Sequence, residues 1–164
     1  MHKKSQSALE FLTTYAWAFI IIIIMIATIA YFGILKPTKI LPDRCNFPPG
    51  FDCQAYAMAY GTGAAGTFNI RLKNSLGQVI TVTAINVSTE NNPSVCAITS
   101  PALPSSSWAA GTITDFVFGT CNYAGAGFAK GDKAKLLVGI SYYDAKAGAT
   151  YAKVADGEVF ATLT

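Results

Sequence analysis

The spacing of apolar residues along this chain changes character once. From Phe11 to Leu35 the residues are nearly all apolar, with no Pro and a single Gly, Gly33, near the end. Tyr15 to Leu35 carries neither a charge nor an amide. At about 1.5 Å per residue, about 20 residues cross a hydrocarbon core of ~30 Å, so the run predicts one membrane-spanning helix. Pro37 and Pro42 mark where that helix must have stopped. Tyr15 and Trp17 lie near one end and Tyr31 and Phe32 near the other, the places where aromatics meet the two membrane interfaces. A cleaved secretory signal has an apolar stretch of only about 7–15 residues and a small-x-small site after it. The sequence Tyr31-Phe32-Gly33-Ile34-Leu35-Lys36-Pro37 offers no such site. The helix is therefore expected to stay in the mature protein, and on the run alone a plain single-pass anchor accounts for it.

Residues 36–52 form a connector in which Pro37, Pro42, Pro48 and Pro49 favour extended backbone. Beyond it the period becomes two. Gln54–Tyr60 reads as a first strand in preference to a short helix. Phe68, Ile70 and Leu72 alternate with Asn69, Arg71 and Lys73, the pattern of a half-buried strand. Asn74–Gln78 is a turn, and Val79–Ser88 is expected to be the hairpin partner of the preceding strand, although both of its faces carry apolar residues. Val95–Ile98, Trp108–Gly119 and Lys133–Tyr143 follow as strands, with a turn at Asp144–Gly148. Tyr151–Val154 and Gly157–Leu163 close the chain, with Asp156-Gly157 as a bend or bulge between them. Short strands and turns at this spacing predict an antiparallel sandwich or barrel, of which the sandwich is preferred. The fold class is thus α+β: a long N-terminal hydrophobic helix, then an all-β, immunoglobulin-like sandwich over residues 53–164.

Composition narrows the setting. Of 164 residues only 13% are charged, about half the usual share, and the remaining polarity is largely Ser and Thr. Net charge is +3, with Lys3 and Lys4 contributing two of the positive charges. No basic cluster or aromatic–basic interleaving marks a nucleic-acid surface. The four cysteines, Cys45, Cys53, Cys96 and Cys121, all follow the helix. An even number in a segment outside the cell predicts two disulfides, for which four cysteines allow three pairings. The pairing of sequence neighbours, Cys45 with Cys53 and Cys96 with Cys121, is preferred. A metal site is disfavoured, since there is no Cys-x-x-Cys and the one histidine is His2. Lysines on both sides of the apolar run leave the positive-inside rule ambiguous, so the cysteines place the head outside.

The N-terminal tip adds the most specific information. It reads Lys3-Lys4-Ser5-Gln6-Ser7-Ala8-Leu9-Glu10, then Phe11-Leu12-Thr13-Thr14-Tyr15-Ala16-Trp17-Ala18. Ser7-Ala8-Leu9-Glu10 fits the S-x-x-E capping box of a helix start. It also puts a carboxylate at the mouth of an apolar helix, a costly place for an acid. The stretch resembles the class III signal peptide of archaeal type IV pilin-like proteins over residues 3–35. That family's pattern is Lys-Lys-Gly, Gln-Ser-Ala-Leu-Glu and a long apolar run with an early Tyr and Trp; here Ser5 stands in the place of the Gly. The resemblance implies that a prepilin peptidase removes residues 1–5 by cutting between Ser5 and Gln6. The helix, residues 6–35, would then anchor the subunit in the membrane before assembly and form the filament core afterwards. It also implies a helical homo-oligomer, assembled by a cytoplasmic ATPase and a membrane platform and serving surface adhesion. Archaellin is a close variant, but Gln6-Ser7-Ala8-Leu9-Glu10 is not the archaellin start. Cleavage would give Gln6 a free amine with an ordinary pKa of about 7.7–8.0, largely cationic at neutral pH. In such pili the acid at the position of Glu10 is thought to meet that amine on a neighbouring subunit. A buried pair of this kind sets register more than it adds stability. Cohesion must come from close packing, which Ala16, Ala18, Ala27 and Ala30 allow.

Other motifs weigh less. Gly61-Thr62-Gly63-Ala64-Ala65-Gly66 matches G-x-G-x-x-G, but a strand pattern follows where a dinucleotide site needs a helix, so a loop is expected and no cofactor. Asn86-Val87-Ser88 is an N-glycosylation sequon. Asp115, Asp132, Asp144, Asp156 and Glu158 are acids scattered near turns or on strands, with no acid–base or calcium-loop spacing, each expected to be a solvated turn or edge residue. The expectation is a structural filament subunit and not an enzyme. The alternative is a tethered or minor tip subunit whose β-domain binds a glycan or a protein.

Overall fold

The structure is a computed structural model that describes residues 3–31, 41–63, 65–103 and 107–164, without the side chains of residues 3–9, 11 and 12. The chain forms two compact units, residues 1–41 and 42–164. The first contains one helix, α1, Lys3–Tyr31. Gly33, Leu35 and Pro37 lie outside the described residues, and so does the expected helix end.

Among the described residues the head has eight strands: β1 (Arg44–Asn46), β2 (Phe51–Ala59), β3 (Gly66–Asn74), β4 (Ile80–Ser88), β5 (Ala97–Ser100), β6 (Ile113–Cys121), β7 (Lys133–Asp144) and β8 (Lys153–Thr162). One sheet has the order β1-β8-β7-β4 and the other β2-β3-β6-β5, and every pairing is antiparallel. Lettering β2 to β8 as A to G gives sheets A-B-E-D and C-F-G, the order of an immunoglobulin constant-type sandwich, with β1 added beside the last strand. The expected antiparallel sandwich is therefore present.

Alternation explains each layer. Phe68, Ile70 and Leu72 of β3, Phe116 and Phe118 of β6, and Leu136, Val138 and Ile140 of β7 are all buried between the sheets. Their neighbours Asn69, Arg71, Lys133 and Lys135 face outward. Removing each large side chain from water contributes about 1.5–3 kcal/mol. Phe51, Trp108, Phe116 and Tyr142 meet as tilted and edge-on rings with centroids 5.2–5.7 Å apart.

Three expectations about elements change. β4 is not the hairpin partner of β3: it pairs with β7 in the other sheet, while β3 lies between β2 and β6. The turn crosses between layers because buried Asn74 organises it. Its Nδ2 donates to Gln78 O at 2.9 Å and Trp108 O at 3.0 Å, and its Oδ1 accepts from Leu76 N at 3.0 Å. Ile80, Thr81 and Val82 are then buried in succession, which is why that stretch shows apolar residues on both faces. There is also no bend at Asp156-Gly157. β8 pairs with β7 in unbroken register from Lys153 to Thr162, and Tyr151 belongs to a short 3₁₀ turn before it. Gly157 answers a packing need instead: a Cβ there would come within 2.4 Å of the Phe47 ring. Finally, the connector expected over residues 36–52 is head from Pro42 onward, since β1 and the start of β2 fall within it.

Candidate functional site

The helix carries the residues that the sequence singles out for assembly. Ser5 and Gln6 lie in its backbone, and Ser7–Glu10 sits inside it: the helix is already under way at Lys3, so these residues do not cap its start. From Thr13 to Tyr31 every side chain is exposed except that of Ala18, which is partly covered. That stretch of 19 residues is long and apolar enough to cross a membrane. Its threonine hydroxyls are turned back onto the backbone. Thr13 and Thr14 Oγ1 donate to Glu10 O at 3.0 and 2.7 Å, and Thr28 Oγ1 donates to Met25 O at 2.8 Å. Polar groups satisfied inside the helix cost little in an apolar medium. The Glu10 carboxylate is different: it is exposed, and no ion pair joins it to another described residue.

The head is closed along both of its open edges. Cys45–Cys53 links β1 in one sheet to β2 in the other. Beside it the C-terminus joins β2, with Thr164 N donating to Met58 O at 3.2 Å and Tyr60 N to Thr164 O at 2.9 Å. On the opposite side Cys96–Cys121 ties the start of β5 to the end of β6. Cys96 bridges to Val87 of β4 and Trp108 to Ile80. Sheet edges that are paired or covered offer little template for unwanted association. Both disulfides are the sequence-neighbour pairing. Among the described residues no three His, Cys, Asp or Glu side chains converge to hold a metal ion.

The G-x-G-x-x-G stretch connects antiparallel β2 and β3, with no helix after it. Gly66 begins β3, where a Cβ would come within 2.6 Å of the Tyr123 ring. That ring is fully buried, and its hydroxyl donates to Thr67 O at 3.0 Å. Burial pushes the Tyr123 phenol well above its ordinary range.

Two shallow depressions mark the outer faces. On the β2-β3-β6 face one of about 330 Å³ lies over Ala55, Ala57, Asn69 and Val117, beside Arg71 and Asp115. Arg71 grips Asp115 as a fork, Nε to Oδ1 at 2.6 Å and Nη2 to Oδ2 at 2.8 Å. The hydrogen bonds from Arg71 hold the Asp115 carboxyl below its ordinary range, and Asp115 raises Arg71 in return. On the β4-β7-β8 face a trough of about 480 Å³ runs past Asn86, Ser88, Leu137, Gly139, Asp156 and Glu158. Glu158 pairs with Arg44 at 3.0 Å and Lys135 at 3.8 Å, and Lys135 also meets Glu90 at 3.1 Å. Asp115 and Glu158 lie on strands, as the sequence allowed, but on the inner strands β6 and β8 and in ion pairs, not as solvated edge residues. Asp132 and Asp144 do sit at turns, accepting from Ala129 N and Lys146 N, both at 2.9 Å. The ion pairs and the trough escaped the sequence because they join strands far apart in the chain. Only the outward positions of an alternating strand hinted at them. The chain matches no known protein family and no characterised protein.

Proposed function

We propose that this chain is the structural subunit of an extracellular type IV-like filament, with the helix in the filament core and the disulfide-bonded sandwich on its wall. The observation that carries this reading is the helix itself. It is apolar on every side, its threonine hydroxyls are satisfied internally, and its exposed carboxylate, Glu10, stands near its N-terminal end. A membrane anchor needs the first two properties but has no use for the third. A core of identical helices does, because Glu10 can meet the amine of a neighbour trimmed to Gln6. In this scheme the subunit waits in the membrane, a prepilin peptidase cuts after Ser5, and an ATPase with a membrane platform drives assembly. The low charge and closed edges of the head suit a repeated outer surface used in adhesion.

The test is to shear filaments from cells, identify their main polypeptide by mass spectrometry and sequence its N-terminus. This chain beginning at Gln6 is the expected result. Fibres made of another polypeptide, with this one confined to the membrane fraction, would overturn the reading. They would favour a tethered head that binds a partner at the Ala55–Val117 depression.

A further inference from the structure

The trough on the β4-β7-β8 face lies against the glycosylation sequon Asn86-Val87-Ser88. Asn86, Gly139 and Asp156 are directly opposite one another across β4, β7 and β8, and Ser88, Leu137 and Glu158 form the next outward row. Residues so placed have Cβ atoms about 4.5–5.5 Å apart. The missing side chain at Gly139 therefore leaves a step immediately beside Asn86. Leu137 supplies a half-exposed apolar floor. Asp156 leans into the step, its Oδ1 only 3.2 Å from where a Gly139 Cβ would be, and no hydrogen bond ties its exposed carboxylate to another described residue. Glu158, by contrast, is held by Arg44 and Lys135. An apolar floor beside an unengaged acceptor suits a pyranose, which has an apolar C–H face and hydroxyl donors at its rim. The volume, about 480 Å³, falls within the range of small-molecule sites.

We propose that Asn86 carries an N-linked glycan whose first sugar lies in this trough, with its C–H face on Leu137 and Gly139 and a hydroxyl donating to Asp156. In forming it, Asn86 Nδ2 displaces an anomeric phosphate or diphosphate from an activated glycosyl donor. The C–N bond forms and the C–O bond to phosphorus-bound oxygen breaks. The phosphate leaves with the bonding pair, and one amide proton passes to a base of the transferase. The modified nitrogen keeps one hydrogen, enough for the bond it makes to Pro93 O at 3.1 Å. That bond fixes the amide at the rim, so the sugar starts beside the trough. The seated sugar covers the stretch of this outer face between Asn86 and the Glu158–Lys135–Glu90 ion pairs.

Tandem mass spectrometry of the full chain, purified from its own cells, tests attachment on the tryptic peptide between Lys73 and Lys130. The expected result is a sugar on Asn86 that is lost completely in Ser88→Ala and in Asn86→Gln. An unmodified Asn86 overturns the proposal. Seating is read separately, by NMR contacts between sugar ring protons and labelled Leu137 methyls. These should be present in the native glycoprotein and at least several-fold weaker in Asp156→Ala, with attachment unchanged. A glycan that is attached but shows no contact with Leu137 overturns the seating. Neither measurement depends on filament formation, which the sheared material reports by itself.

Discussion

Asn74 and Tyr123 show how single polar groups are fixed in this core. Asn74 uses both amide hydrogens and its carbonyl, each on a backbone group of the crossing turn or of Trp108. Replacing it with Asp keeps the shape but removes the two donors, leaving two carbonyls short and a carboxylate buried. Unsatisfied buried groups cost about 1–3 kcal/mol each. Asn74→Asp and Asn74→Ala should therefore each destabilise the head by about 3 kcal/mol or more, measured by urea unfolding with Trp108 fluorescence as the probe. If the isosteric Asp variant were as stable as the parent, Asn74 would be a spacer and not a pin. Tyr123 makes a pH prediction. Its folded pKa is raised, so above the ordinary value of about 10 the unfolded chain releases a proton that the folded chain keeps. Its contribution is complete below about pH 10 and falls as pH rises toward the folded value, by up to about 1.4 kcal/mol per pH unit. Tyr123→Phe should lose about 0.5–1.5 kcal/mol at neutral pH with the bond to Thr67 O. It should also flatten the alkaline decline, so that the two stability curves converge or cross. Parallel curves from neutral to alkaline pH would show that Tyr123 does not govern that limb.

At the scale of elements, the strands were legible and several of their partners were not. Alternation at Phe68, Ile70 and Leu72 located β3, and the apolar run located α1, because each pattern records one element's own burial. Partner choice depends on residues distant in the chain. The β3–β4 connection therefore looked like a hairpin until the hydrogen bonds of Asn74 and the packing of Trp108 showed a layer crossing. Gly157 looked like a bend for a similar reason, since its cause, the Phe47 ring, belongs to another segment. Of the proposed assembly site, the carboxylate and the long helix were readable; the self-bonded threonines were not, because hydroxyl orientation leaves no trace in sequence spacing. The disulfides join elements at opposite edges and should contribute unequally. Cys45–Cys53 spans a sequence separation of 8 and Cys96–Cys121 one of 25. Loop-closure entropy gives about 2.5 kcal/mol for the first and about 3.5 kcal/mol for the second. Paired Cys→Ala substitutions should lower the urea midpoint in that order. The Cys45/Cys53 variant should in addition lose hydrogen-exchange protection at β1, whose three residues pair only with β8.

For the whole molecule, the question is why an apolar helix should keep an acid. Transfer from lipid to a bundle of similar helices gains little hydrophobic free energy, since both surroundings are apolar. Packing supplies the attraction, but a smooth apolar rod can slide along its neighbours through many registers of similar energy. A single charge pair distinguishes them, because every wrong register leaves a buried charge alone at a cost of about 3–5 kcal/mol. Glu10 is suited to that role: the nearest polar groups below it, the Thr13 and Thr14 hydroxyls, are committed to its backbone carbonyl, which leaves the carboxylate as the group for a neighbour to meet. Glu10→Ala should therefore insert into membranes as well as the parent or better, since an intramembrane acid opposes insertion. On the proposed route it should still be cut after Ser5 and yield far less filament. Glu10→Gln keeps the size and some hydrogen bonding but not the charge, and should sit with the Ala variant if charge sets register. Cleavage is read by N-terminal sequencing of the membrane fraction and assembly by the mass of sheared filaments. Parent-level filament from either variant would remove the charge pair from the account and leave close packing at Ala16, Ala27 and Ala30 to fix register alone.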